Sequence, residues 1–297
     1  DKEVFKSIIN YSFFIFINIL VEQLYANTDK IILGSVIGTV AVAVYQVSAN
    51  LQKDFSQFSA SIGGVFLPML TAKVTKKAPM EEISKIFLRV SRIQFIVLSL
   101  IFCGFVLFGK SFIYYWAGES YVGAYSITLV LMAPSIIPLS QSLGVTLLQA
   151  MNRHRIRSIV YLLISIFNVA VSIPLAMKWS GFGAAIGTAI GNLLGQIMFM
   201  NYYYYKKIGL NIPGYWKNAL KIAVVMAGLT CAAGVVMHYV YKQSIPNMLI
   251  GIVLFVLVYM PVAWFLILND EEKQMVRVVT DKIKSIFNRK KVKAEKS

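Results

Sequence analysis

Apolar residues run through this chain in eight stretches long enough to cross a bilayer, at about 7–28, 40–70, 86–108, 122–150, 158–177, 183–205, 219–241 and 247–268. A helix needs about 20 such residues to span roughly 30 Å of hydrocarbon. The pattern therefore predicts an all-α polytopic membrane protein with eight transmembrane helices. Polar positions interrupt it with helical regularity. In the second stretch Gln46, Asn50, Lys53, Asp54, Gln57 and Ser61 fall within roughly a 100° arc of one helix face. In the first, Asn18, Glu22, Tyr25 and Asp29 lie within about 60° of each other, and Tyr161, Ser165, Asn168 and Ser172 repeat that spacing in the fifth. A charge at the bilayer centre costs about 2.5–3.5 kcal/mol on insertion scales. Aligned stripes carrying Glu22, Lys53 and Asp54 therefore point to the walls of a hydrated cavity shared by several helices. The alternative is interhelical glue, in which polar side chains bond across a dry contact and Lys53 and Asp54 neutralise each other. Asp29 and Lys30, near the expected end of the first helix, also fit side chains that reach out to the interface.

Charge fixes an orientation. The connections on the N-terminal side of the membrane carry 24 of the 29 basic residues, and the opposite loops carry Lys110, Lys178 and Lys242. Basic loops stay in the cytoplasm, so both ends of the chain are expected there, and eight alternating helices close without a leftover. The formal charge of +16 is spread over several loops and a basic tail. That distribution reads as a topology signal rather than a nucleic-acid surface.

Gly183, Gly187, Gly191 and Gly195 recur every four residues in the sixth stretch, a spacing that lets helices approach closely. They do not form a nucleotide loop, for which the preceding strand and the glycine spacing are both wrong. Pro134 and Pro138 are expected to break the fourth helix. Aromatics at Tyr114, Tyr115 and Trp116, and from Tyr202 to Tyr205, fall at helix ends as an interfacial belt. Beyond Asn269 the chain is highly charged. Met275, Val278, Val279, Ile283, Ile286 and Phe287 keep helical spacing there, as for an amphipathic helix on an anionic leaflet.

Several chemistries find no support. Cys103 and Cys231 both sit within apolar stretches, and the two histidines, His154 and His238, lie far apart in the chain. No metal-ligand spacing, phosphate loop or nucleophile–base set can be assembled, so neither a metal nor another cofactor is expected, and the chain does not read as an enzyme. The loops are short, which leaves the space between helices as the place where anything happens.

Three passages resemble the polysaccharide repeat-unit flippases of the multidrug/oligosaccharidyl-lipid/polysaccharide exporter superfamily. They are Asp29-Lys30-Ile31-Ile32-Leu33-Gly34 with Gly38 to Tyr45, then Leu148-Gln149-Ala150-Met151-Asn152-Arg153-His154-Arg155, then Gly181 to Ile190. The resemblance implies that residues 1–205 form the second six-helix lobe of a two-lobe transporter. It further implies two accessory helices at 206–268 and a basic cytoplasmic tail at 269–297. On that reading the N-terminal lobe is missing and the chain is a C-terminal fragment or a truncated gene product. The substrate it implies is an oligosaccharide on polyprenyl pyrophosphate, flipped across a bacterial cytoplasmic membrane for capsule or O-antigen synthesis. Membrane lipids and polymerase machinery are the implied partners. Gln46, Asn50 and Gln57 would then face sugar, with Asp54 on the same cavity wall. Lys53 would meet the pyrophosphate and Arg153 would stand at the inner mouth. Glu22 or Asp29 would carry a coupling proton or sodium ion or balance Lys53. A multidrug or cation antiporter of the same superfamily is the nearest competing reading. Carboxylates suit its cationic cargo, whereas this chain sets a lysine among amides. A membrane glycan polymerase or acyltransferase is the competing reading from another class, and it would need a reactive group on a substantial loop.

Overall fold

The computed structural model describes residues 27–151, 153, 155–241 and 243–274, together with Gln23 and Arg277. Most of the first expected span, including Glu22, and most of the charged tail lie outside the described residues. What is described is almost wholly helical.

Helix α1 (27–36) continues past the expected end of the first span and stops at Gly38. That glycine takes φ 120°, a region costly for any residue with a Cβ, and turns the chain into α2 within two residues. Helices α2 (Thr39–Thr75) and α3 (Met80–Trp116) have 37 residues each. At 1.5 Å per residue they are about 55 Å long, well beyond the hydrocarbon thickness, so their ends project from the membrane. The turn between them is held by an ion pair from Lys73 to Glu82. Glu81 and Glu82 stand in the first turn of α3, where the helix dipole favours acids.

The fourth crossing is a bent pair, α4 (Ala124–Ser140) and α5 (Ser142–Ala150), meeting at 46°. The sequence placed its break at Pro134 and Pro138. Both prolines are accommodated inside α4, and the break falls at Gln141, just beyond the second. A proline removes a hydrogen bond and crowds the turn before it, so it weakens the helix around it without dictating where it yields. The yield point is where outside bonds take over. Gln141 Nε2 donates to Asn201 at 2.7 Å, and the Ser140 and Tyr215 hydroxyls bond at 2.7 Å.

The segment Arg155–Gly191 reverses at Trp179 and Ser180, which leave helical geometry, with Ser180 at φ 51°. It forms a hairpin of α6 (155–178) and α7 (181–208), the latter passing through wider π turns at Asn192–Phe199 and Tyr204–Ile208. The four-residue glycine repeat lies on the contact face. A Cβ on Gly183 would sit 2.0 Å from the Leu175 carbonyl, one on Gly187 2.1 Å from Ser172 Oγ, and one on Gly195 2.1 Å from Ile164 Cδ1. Only glycine permits so close an approach.

Helices α8 (Ile212–Val240) and α9 (Ile245–Val262, extended by the π turn Ala263–Ile267) open with the same device. Asn211 and Ser244 cap the first turn with a side-chain oxygen, and a proline follows at N1 or N2. Both helices attach along α3, which also packs against α2, α4 and α5. Five helical stretches among the described residues are long and apolar enough to cross a membrane, six when α4 and α5 count as one bent crossing. The expected total of eight is not reached in this count, because the span at 7–28 lies largely outside the described residues and the stretch Ile156–Ile208, counted once, holds both arms of the α6–α7 hairpin.

One buried ion pair ties the last crossing to this frame. Arg92 on α3 donates to Glu272 at 2.8 and 3.1 Å, to the Ile267 carbonyl at 2.6 Å and to Asn218 on α8 at 3.2 Å. Glu272 also accepts from the Asn269 backbone at 2.9 Å. Every oxygen and most of the guanidinium are thus engaged, the condition under which a buried pair is tolerated.

Candidate functional site

Two polar faces run along α2. The first is the stripe read from the sequence. Asn50, Lys53, Asp54, Gln57 and Ser61 are all exposed, and Gln46, half-buried, donates to Asn50 at 2.7 Å. Among the described residues no ion pair joins Lys53 to Asp54, and the stripe does not enter a helix junction of this bundle. Its apolar neighbour Phe55 is 1% exposed and belongs to the core. Arg153 is exposed in the short α5–α6 connection, at the end of the bundle that carries the basic loops. Glu22 lies outside the described residues.

The second face escaped the sequence reading. Gln52, Ser56, Ser59 and Gly63, spaced four, three and four, fall within about 60° on the other side of α2. They wall a cavity of about 430 Å³ against Ser135, Ser142 and Thr146 of α4 and α5, Arg157 and Tyr161 of α6, and Asn192 and Gln196 of α7. The spacing was a usable signal. It carries little weight by itself because Ser56 and Ser59 return their protons to helix carbonyls, of Gln52 at 2.9 Å and of Leu139 at 2.5 Å, and so sit in an apolar helix at little cost.

Asp29 departs from its expected place. It is not an interfacial side chain: it is 6% exposed, inside α1, at the end of the bundle away from the basic loops. Its carboxylate accepts from the Tyr45 hydroxyl of α2, from Asn168 of α6 at 3.2 Å and from Thr188 of α7 at 2.5 Å. Asn168 also donates to Thr188 at 3.0 Å and accepts from Ser172, whose hydroxyl lies 3.4 Å from the Ala184 carbonyl. Four helices therefore converge on one carboxylate, sealed by Ile32, Leu33, Ile127, Leu131, Ala184 and Ala185. The sequence showed Asn168 and Ser172 on one face. It did not show that α1 runs on to residue 36, which carries Asp29 into the bundle. Lys30 is half-buried and donates to Asn27 at 3.1 Å.

Among the described residues no group of three or more His, Cys, Asp or Glu side chains comes together as a metal site. The chemistry on offer is charge, hydroxyl and amide arranged along paths between helices.

The bundle geometry has a known counterpart. It matches lipid II flippase MurJ in its inward closed conformation with a TM-score of 0.67 at 14% identity, over 87% of this chain and 54% of that one. The fold is similar to that of MurJ. The chain thus spans about half the length of that flippase. Residues 1–126 also match the family model for polysaccharide biosynthesis proteins. No curated protein matches the sequence. Both findings agree with the resemblance to lipid-linked oligosaccharide flippases. The passage at Asp29 to Tyr45 falls within the family match, and those around Arg153 and Gly183 fall beyond it. In the MurJ-like frame, the exposed stripe and the Asp29 cluster occupy the same bundle, on separate sides of α2.

Proposed function

We propose that this chain forms part of a flippase for lipid-linked saccharide precursors. One observation carries the reading: Lys53 and Asp54 are exposed midway along a membrane-spanning helix. Facing lipid, each would cost about 2.5–3.5 kcal/mol, and within this bundle nothing described covers them. A hydrated path in front of α2 removes that cost. We infer that residues 1–205 form one lobe bordering the path with a second lobe across it, that 206–268 is an accessory pair, and that the basic loops face the cytoplasm of a bacterial cell. On that path Gln46, Asn50 and Gln57 supply amide donors and acceptors to sugar, with Asp54 beside them. Lys53 supplies a cation to the diphosphate, and Arg153 stands where the charged headgroup enters. A lysine among amides suits an anionic glycolipid, and capsule or O-antigen repeat units are the proposed cargo.

The Asp29 cluster is the proposed coupling site. A carboxylate that gathers Tyr, Thr and Asn side chains from three other helices gains or loses those contacts when a proton or a sodium ion arrives, since hard cations take oxygen ligands. Glu22 remains the second candidate.

The test is precursor export in cells carrying the full-length protein. Lys53→Ala is expected to abolish export and let lipid-linked units accumulate on the inner leaflet, at unchanged protein level. Export at the wild-type rate removes Lys53 from the path. Normal single units outside with shortened polymer would point to a polymerase instead.

A further inference from the structure

We propose that the helix opening at Asn269, just after the last crossing, is a leaflet-binding element whose partner is the anionic phospholipid headgroups on the basic-loop side of the membrane. It needs neither a second lobe nor the flippase reading.

The bundle sets the direction of this helix. The chain leaves helical geometry at Leu268, with ψ 135°. Were α9 to run straight on, Trp264 and Arg277 would stand about 20 Å apart along the axis, at 1.5 Å per residue. Instead the Arg277 guanidinium lies 5.8 Å over the Trp264 ring. The chain therefore turns, and the new helix crosses the end of α9 rather than projecting from it. Trp264 belongs to the last turn of the last crossing, and tryptophan at a helix end sits at headgroup level. The helix is thereby held at the height of the membrane surface.

Its first turn is fastened to the bundle. Asn269 and Glu272 form a capping box, in which the Asn269 backbone N–H donates to the Glu272 carboxylate at 2.9 Å. The same carboxylate takes Arg92 of α3, and Glu271 pairs with Arg89 of that helix. Asp270 stands 4.0 Å from Lys273. The acids of the turn are thus spent on α3 and on the helix itself, and the charge that follows is of one sign. After Glu272 the sequence carries nine basic residues against Asp281 and Glu295.

Beyond Arg277 the pattern is that of the sequence alone. At helical spacing Lys273, Arg277, Lys284 and Lys291 fall within about 40° of one another. The face that docks Glu272 onto α3 continues, in steps of three, four, four and three, through Met275, Val279, Ile283 and Ile286. A nucleic acid would engage the basic stripe and leave the apolar one in water. A leaflet takes both, the acyl boundary receiving the apolar face and the anionic headgroups neutralising the lysines and arginines.

The experiment uses the 297-residue chain without Cys103 and Cys231, in nanodiscs of phosphatidylcholine alone or with phosphatidylglycerol added. Nitroxides at Val279→Cys and Asn288→Cys, on opposite faces at helical spacing, report collisions with a water-soluble nickel chelate. Phosphatidylglycerol is expected to cut collisions at Val279 roughly threefold or more and to leave Asn288 accessible. High salt should restore much of the access, because headgroup attraction is screened. Replacing Lys284, Lys290 and Lys291 together by Gln, at positions outside the folded bundle contacts, should abolish the response to phosphatidylglycerol. Equal collisions at Val279 in the two disc types would overturn the proposal. So would wild-type shielding in the triple variant, or equal shielding of both faces in either disc, which would mean a helix packed within protein. Shielding of Asn288 by an added oligonucleotide, with Val279 indifferent to lipid, would assign the basic stripe to nucleic acid instead.

Discussion

Asp29 shows how far a single residue's meaning depends on its neighbours. By spacing alone it is the last member of a polar stripe near a helix end, equally at home at an interface. In the fold it is enclosed, with donors from three other helices. Replacing it by Leu takes the acceptor from the Thr188 hydroxyl and from one of the two Asn168 amide protons, among apolar residues. Each stranded buried group costs about 1–3 kcal/mol. Asp29→Leu is thus expected to lower the melting temperature of the solubilised protein, and Asp29→Leu with Thr188→Val to recover part of the loss. Equal melting of wild type and the single variant would show that the carboxylate is not the hub of this cluster. Lys53, by contrast, is exposed, and Lys53→Ala should leave stability nearly unchanged.

Between elements, two contacts make sharp demands. The α6–α7 hairpin closes over glycines. Gly183→Ala drives a methyl group into the Leu175 backbone, which cannot step aside as a side chain can. Overpacking of this kind costs about 1–3 kcal/mol or more. Gly228, with nothing within 4 Å of its Cβ position, is the control. Gly228→Ala should be neutral or stabilising by up to about 1 kcal/mol through helix propensity. Comparable melting of the two variants would contradict the hairpin contact. The Arg92–Glu272 pair joins α3 to the segment after α9. Removing one partner of a buried pair costs about 3–5 kcal/mol, while replacing both with apolar side chains is often neutral. Glu272→Ala should therefore melt well below Arg92→Met with Glu272→Leu. The opposite order would show that the pair is not buried in the native protein. Nothing in the sequence announced this pair, because two charges 180 positions apart carry no periodic signal.

At the scale of the molecule, the features legible in the sequence are those that one helix expresses by itself. Length and apolarity placed the crossings that the described residues form. The glycine repeat announced a close contact, and the Gln46 to Ser61 stripe is displayed on the face its spacing described. What could not be read depends on partners. The break at Gln141 is chosen by Asn201 and Tyr215, on helices far along the chain. The polar cavity is made by five helices, of which only α2 carried a visible pattern. The burial of Asp29 turns on where α1 ends.

On the proposed function the exposed face of α2 borders water rather than lipid or sealed protein. Single cysteines placed along Gln46 to Ser61 in the full-length protein, from which Cys103 and Cys231 have been removed, test it directly with a membrane-impermeant thiol reagent. Rapid modification is expected at Asn50, Lys53, Asp54 and Gln57, with Val47 and Phe55 protected. Equal protection of both sets would place the stripe out of reach of water and contradict the translocation path.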